Sequence, residues 1–203
     1  NAELQLEASE SGGQARIDLH AGRLDLPGVF AQHEVPLDLL DARLTWKIER
    51  DANGAAPRIS ARVASATFAN ADAKGELSAS WRTGPGTGFG RGERYPGLLE
   101  LDGRLIDGVA ARTARYLPIG LPEGVRSYVA GAVREGTIAS ATFRVRGDLA
   151  DFPFHDVKAA RDAELRIAAK FEGLTFAYIP DEAGAGPNAS GAARETWPPL
   201  TGG

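Results

Sequence analysis

Three histidines are the side chains in this sequence best suited to metal binding or proton transfer, but their spacing predicts neither. His20, His33 and His155 lie far apart, and none belongs to a His-Glu-x-x-His motif or another ligand pattern. His20 falls on the polar side of an alternating stretch, and His155 follows a Phe-Pro-Phe corner. The chain has no cysteine, which excludes thiolate chemistry and disulfides. We therefore predict surface or turn histidines and no metal site.

The other chemical signals are equally weak. Asp102 and Asp107 could be imagined as an acid–base pair, but the chain has 27 acidic residues, and most carboxylates lie on protein surfaces. The glycine-rich stretch 83–97 lacks the third glycine of GxGxxG, and no Gly-Lys-Ser/Thr follows it. No Gly-x-Ser-x-Gly elbow occurs in the sequence. We predict no catalytic residues, no cofactor and no enzyme activity, and we interpret 83–97 as a loop.

Composition and charge narrow the class of protein. The 203 residues are 43% apolar and 25% charged, which is typical of a folded protein. The net charge of -4 comes from interleaved acids and bases, which predicts no nucleic-acid partner and no polybasic contact with lipid headgroups. The sequence contains no apolar run of the roughly 18 residues that a membrane span needs. There is no methionine and Asn1 lies in a strand-like pattern, so we expect an internal segment of a longer protein.

Most of the chain alternates between apolar and polar residues, which is the period of a β-strand with one buried face. The clearest stretch is 40–48, where Leu44, Trp46 and Ile48 share one side and charged residues share the other. An Asn-Gly pair in 51–57 predicts a hairpin turn after it. Similar alternation predicts roughly eight strands along the chain.

Two positions break the alternation. Phe68 has the opposite parity to Val63, so we predict a bulge near Ser65. Gly173 shifts the parity of a later strand in the same way. Both breaks are compatible with continuous strands that keep one apolar side.

A helical insertion is predicted at about 107–135. Pro118 ends a first short helix, and Pro122 opens a second one. Gly136 stands where a left-handed cap would end it. The apolar stripe of the second helix comprises Val125, Tyr128, Val129, Ala132 and Val133. A strand follows, with Ala139, Ala141, Phe143 and Val145 on one side.

These elements predict a mainly β fold, a β-rich α+β protein. Strands do not alternate with helices, so a doubly wound parallel sheet is disfavoured. We expect a long, curved, mostly antiparallel sheet with one apolar concave face and one or two short helices around 109–134. Residues 1–203 are interpreted as one β-rich segment of a larger repetitive protein, with a flexible Gly/Ala-rich tail at about 181–196.

The central stretch resembles the YhdP family of AsmA-like envelope proteins of Gram-negative bacteria. Arg115-Tyr116-Leu117-Pro118 and the stretches 125–136 and 139–154 carry the resemblance, and 171–180 followed by 197–201 (WPPLT) extends it. The resemblance implies a periplasmic protein anchored to the inner membrane by a helix outside this segment. It also implies a bridge-like lipid transfer role, in which phospholipid moves along an apolar β-groove toward the outer membrane and supports its permeability barrier. The family offers no catalytic residues to carry over.

We hypothesise that apolar residues of the alternating strands line such a groove. The expected partners of the protein are phospholipid acyl chains, neighbouring segments of the same chain and inner- or outer-membrane envelope proteins. The alternative is a non-catalytic structural or protein-interaction domain of the envelope whose apolar face is its core. The candidate lining residues are Leu44, Trp46, Ile48, Val63, Leu77, Trp81, Phe143, Val145, Ile167 and Phe171.

Overall fold

A computed structural model of the chain describes residues 1–50, 56–154, 163–177 and 200–202. The Asn-Gly pair of the predicted hairpin, His155 and the predicted tail at 181–196 lie outside these ranges. The described strands form one nine-stranded antiparallel sheet in which each strand pairs with its neighbours in sequence. The sheet is open and curved, as predicted. Its strands are β1 (Ala2–Ser9), β2 (Gly12–Asp25), β3 (Glu34–Glu49), β4 (Arg58–Ala69), β5 (Lys74–Arg82), β6 (Leu98–Val109), β7 (Val133–Asp148), β8 (Glu164–Phe176) and β9 (Leu200–Gly202).

The helical insertion between β6 and β7 is confirmed. A 3₁₀ helix covers Ala110–Tyr116, and an α-helix, α1, covers Glu123–Ala132 directly after Pro122. A one-turn 3₁₀ helix, Leu149–Asp151, follows β7. At about 1.5 Å per residue, α1 reaches only about half the thickness of a bilayer core. Within the described ranges, no helix is long and apolar enough for a membrane span.

The predicted end of α1 is wrong. The helix stops at Ala132 and β7 starts at Val133, so no loop separates them and Gly136 lies inside the strand. Gly136 has a φ of 123°, and a Cβ there would come within 2.9 Å of the Leu174 backbone on β8. The glycine is required by a strand irregularity and not by a helix cap.

The apolar stripe predicted for α1 is only partly buried. Ala132 is fully buried, but Val125 and Tyr128 are 47% and 41% exposed. The Tyr128 ring packs edge-on against Phe176 of β8, with 6.2 Å between ring centroids. Part of the apolar stripe of α1 therefore packs against the end of the sheet, and the rest is exposed to solvent.

The bulge predicted near Ser65 is confirmed. Arg43 pairs with Ser65, whereas the next residue, Leu44, pairs with Val63. The same irregularity shifts the pairing of β4 with β5 between Val63 and Ala66. The extra residue restores the apolar side chains of both halves of β4 to the same face.

The compact core is small and lies where the helical insertion meets the sheet. Ala110, Ile138 and Ala141 form a buried cluster, with Leu105 and Leu174 among the residues packed against it. Ile138 takes the inward place that alternation predicted for Ala139, because β7 shifts its pairing with β8 between Ile138 and Ser140. Among the described residues no large side chain is fully buried. The rest of the sheet therefore has no second layer packed on it.

Candidate functional site

One face of the sheet, called here the apolar face, carries uninterrupted rows of apolar side chains across the strands. The pairing registers join residues of β1 to β8 that lie directly opposite one another. One row consists of Leu6, Ala15, Leu44, Val63, Ala79, Leu101, Val145 and Leu165. The next consists of Leu4, Ile17, Ala42, Ala66, Leu77, Gly103, Phe143 and Ile167. Neither row contains a polar side chain.

All the candidate lining residues share this face. Trp46 and Trp81 both pair with Ala61, in a third row beside the first. Ile48 pairs with Ile59, and Phe171 pairs with Ile138. The structure therefore brings the candidates together, while their role as a lining for a ligand stays a prediction.

The apolar face is exposed to solvent at both ends of the sheet, first at β8. Ile167 is 61% exposed and Phe171 is 38% exposed, although both are large apolar residues. On the β1 side, Leu4 and Leu6 are 63% and 60% exposed. Exposed apolar side chains grouped on one face are a common feature of interaction surfaces.

Large rings on the apolar face lie over glycines of the adjacent strand. Phe143 pairs with Gly103, and a Cβ added at that glycine would overlap the ring. Phe68 covers Gly75 in the same way, with its Cζ 2.8 Å from the position of an added Cβ. Each ring can fold down along the sheet because its neighbour has no side chain. Sequence reasoning missed these glycines; the available signal was a glycine at an apolar-face position of an alternating strand.

The opposite face, called here the polar face, carries charged side chains in cross-strand pairs. Arg16 and Asp41 lie 3.3 Å apart, and Arg146 and Glu100 lie 3.7 Å apart. These pairs are exposed and add little stability. They keep one side of the sheet hydrated while the other side stays apolar.

One rim of the apolar face is tied together around Asp72, in the β4–β5 turn. Tyr116 of the helical insertion donates a hydrogen bond from its hydroxyl to Asp72 at 2.7 Å and accepts one from Asn70 at 3.0 Å. Arg115 lies 3.3 Å from Asp72, whose side chain is 13% exposed. Phe30, from the β2–β3 loop, packs edge-on against Tyr116 at 6.2 Å. Three connections of the sheet therefore meet at this rim.

Deprotonation of the Tyr116 hydroxyl at high pH is expected to lower the free energy of unfolding. Burial raises the pKa of Tyr116 above 10.0, and the hydrogen bond to Asp72 raises it further. The folded protein therefore holds this proton more tightly than the unfolded chain, so the stabilisation is complete below about pH 10 and falls as the pH rises through the folded pKa. Urea unfolding at a series of pH values should show a steeper decline above about pH 10 for the wild type than for Tyr116→Phe. Equal slopes would contradict this assignment.

The glycine-rich stretch 83–97 forms the other rim and is a loop, as predicted, although it is firmly held. The guanidinium of Arg94 is buried and donates to the carbonyls of Ala56 and Pro57. Trp81 donates from Nε1 to the Pro96 carbonyl at 2.9 Å, so its polar edge is satisfied by the loop. Its ring can then contribute apolar surface to the open face.

The side chains considered for catalysis are dispersed. Asp102 pairs with Arg144 at 2.5 Å, whereas Asp107 lies 3.6 Å from Lys74. His20 and His33 are exposed, as predicted, with His33 beside Asp25 at 2.7 Å. Within the described ranges, no group of three or more His, Asp or Glu residues could hold a metal ion.

Comparison with known proteins gives one result. The family model described as "YhdP protein" matches residues 1–203. No curated protein and no solved structure matches the chain. Since the family match extends over the whole sequence, and since the open antiparallel sheet is the fold that the resemblance implied, the chain belongs to the YhdP family.

Proposed function

We propose that this chain is a segment of a periplasmic protein that carries phospholipid along its apolar face between the inner and outer membranes. The observation that supports the proposal most is the pair of adjacent rows that cross β1 to β8 without a polar side chain. With strands about 4.8 Å apart, eight strands give an apolar path about 34 Å long. The path runs across the strands, from β1 toward β8.

Acyl chains are the ligand chemistry that such a face fits. A methylene group removed from water gains about 0.8 kcal/mol, and this gain needs no directional contact. A lipid tail that slides from one strand to the next exchanges one apolar neighbour for another and breaks no hydrogen bond. The face therefore binds tails without fixing them in one position, and the polar headgroup remains in water.

The proposal extends to the surroundings of the segment. In the whole protein, neighbouring segments of the same chain continue the path, and a helix outside this segment anchors it in the inner membrane. Among the described strands β1 pairs with β2 alone, so its exposed outer edge is available to a neighbouring strand. Inner- or outer-membrane proteins then deliver and receive the lipid, and the flow maintains the outer-membrane permeability barrier.

Charges placed on the apolar face test this proposal. We expect Val63→Glu combined with Leu101→Glu to reduce the phospholipid that co-purifies with the chain roughly tenfold, because acyl chains cannot solvate a carboxylate. Ser78→Glu combined with Thr142→Glu is the matched control, since both positions are exposed on the polar face. Native mass spectrometry measures bound lipid, and circular dichroism verifies folding.

The outcomes separate the two functions that the sequence left open. A folded Val63→Glu, Leu101→Glu variant that carries as much lipid as the control contradicts lipid transport. A wild-type chain that is folded and lipid-free after expression in a Gram-negative host favours the structural or protein-interaction role. Loss of lipid from the apolar-face variant alone supports the proposed path.

A further inference from the structure

A depression of about 460 Å³ crosses β3 to β7 on the polar face. Trp46, Ala61 and Trp81 are among its lining residues, but their apolar-face neighbours Leu44 and Val63 are not. The polar-face residues on either side of them do line it, which places the depression on the polar side of the sheet. The charged and hydroxyl side chains that line it are Thr45, Lys47, Ser60, Arg62, Ser80, Arg82, Glu100 and Arg146. Glu100 and Arg146 pair with each other at 3.7 Å, so the depression retains three further cations and three hydroxyl groups.

No acidic residue lies directly opposite any of the three cations, and Glu100, a diagonal neighbour of Arg82, is paired with Arg146. Lys47, Arg62 and Arg82 form no ion pair within the part of the chain that the structure describes. Uncharged residues occupy the positions directly opposite them on the adjacent strands. These residues are Gly12, Thr45, Ser60, Ser80 and Leu98.

Several other cations of the polar face are matched by acids. Arg146, at the edge of the depression, pairs with Glu100 on one side and lies opposite Glu164 on the other. Arg104 lies opposite Glu76, and Arg58 lies opposite Glu49. Arg43 and Arg166 also form no ion pair among the described residues, but each lies opposite an arginine that does, Arg16 or Arg144. The depression instead groups three unpaired cations, in a chain whose net charge is -4.

The spacing of the cluster leaves room for a counter-ion. Lys47 and Arg62 are diagonal neighbours on β3 and β4, and Arg62 and Arg82 are diagonal neighbours on β4 and β5. Diagonal neighbours lie about 7–8 Å apart, and like charges at that distance repel each other. An anion between them removes the repulsion, and the hydroxyls of Ser60 and Ser80 lie between the cations as further donors.

We propose that this depression binds an anion of the phosphate class. Two guanidinium groups and an ammonium can donate to several oxygens of one phosphate, and guanidinium suits paired phosphate oxygens. The volume falls within the range of small-molecule sites. The site lies on the face opposite the proposed lipid path, so it stands independently of that proposal.

Titration of the 203-residue chain tests the site, with inorganic pyrophosphate in one arm and short-chain phosphatidylglycerol below its micelle concentration in the other. Isothermal calorimetry and amide chemical shifts report binding. We expect saturable binding of at least one ligand, with shifts at Ser60 and Ser80. Arg62→Gln and Arg82→Gln should each raise the Kd roughly tenfold. The arm that binds identifies whether the phosphate is free or belongs to a lipid headgroup.

Arg104→Gln is the matched control, because it removes one cation from the same face outside the depression and should leave the Kd within about twofold. The proposal is overturned if neither ligand binds saturably, if shifts fall elsewhere, or if Arg104→Gln weakens binding as much as Arg62→Gln. Lys47→Gln provides a third variant, which should weaken binding even if one arginine variant fails to fold. A folded Lys47→Gln variant with an unchanged Kd also overturns the proposal.

Discussion

Asp72→Ala is expected to lower the free energy of unfolding by about 3 kcal/mol, because it leaves a partly buried arginine without its counter-charge. Asp72 is 13% exposed and accepts from Tyr116 at 2.7 Å and from Arg115 at 3.3 Å. Nε of Arg115 is already buried without a hydrogen-bond partner, so the variant leaves the guanidinium poorly satisfied. Urea unfolding measures the loss, and amide exchange should accelerate in 110–116.

Asp102→Ala is the matched control for this prediction. Asp102 also pairs with an arginine, Arg144, but its side chain is 44% exposed. Exposed ion pairs contribute about 0–1 kcal/mol, so this variant should remain close to the wild type. Similar losses in the two variants would show that Asp72 does not hold the rim.

Gly103→Val is expected to destabilise the apolar face strongly. The added Cβ overlaps the ring of Phe143, which must then rise from the sheet or leave its rotamer. Overpacking of this kind costs about 1–3 kcal/mol, and we expect the upper end because the opposing atoms belong to a rigid ring. Under the proposed function, the raised ring also obstructs the lipid path. Urea unfolding gives the stability, and native mass spectrometry gives the bound lipid.

A double mutant isolates the cause. Phe143→Ala removes the ring, so Gly103→Val should cost much less in that background, with a coupling energy of at least about 1 kcal/mol. Gly124→Ala, in α1, has no atom within 4 Å of its added Cβ and should not destabilise the protein. Additive effects of Gly103→Val and Phe143→Ala would refute the ring–glycine contact.

The faces of the sheet could be predicted because side chains alternate strictly along a strand. That period places Leu44, Trp46 and Ile48 together before any partner strand is known. The bulge near Ser65 was predictable for the same reason, since a change of parity within one strand needs an extra residue. Register was not predictable, because it is set by pairing between strands and by the ends of their turns. The rows, and the ring that each glycine faces on the adjacent strand, emerge only from that pairing.

Other features depend on contacts distant in sequence. Tyr116 and Asp72 are 44 residues apart, and the sequence around either residue does not predict their contact. Gly136 has the spacing of a helix cap, but β8 approaches so closely there that the strand itself requires a glycine. Ile138 displaced Ala139 from the apolar face because the pairing of β7 with β8 shifts at that point. Tertiary pairing decided each of these cases, and local propensity did not.

Because the strands pair strictly in sequence order, the sheet can be lengthened by adding strands at either end. Each described strand bonds only to its immediate predecessor and successor, so one more hairpin could join the series without rewiring any existing pair. Such an addition would lengthen the assembly by about 10 Å, and since a hairpin contains two strands, every later turn would keep its side. A single added strand would instead place every later turn at the opposite rim of the sheet. Growth in hairpin units is therefore the route by which this architecture can span a wider gap while its cross-section stays the same.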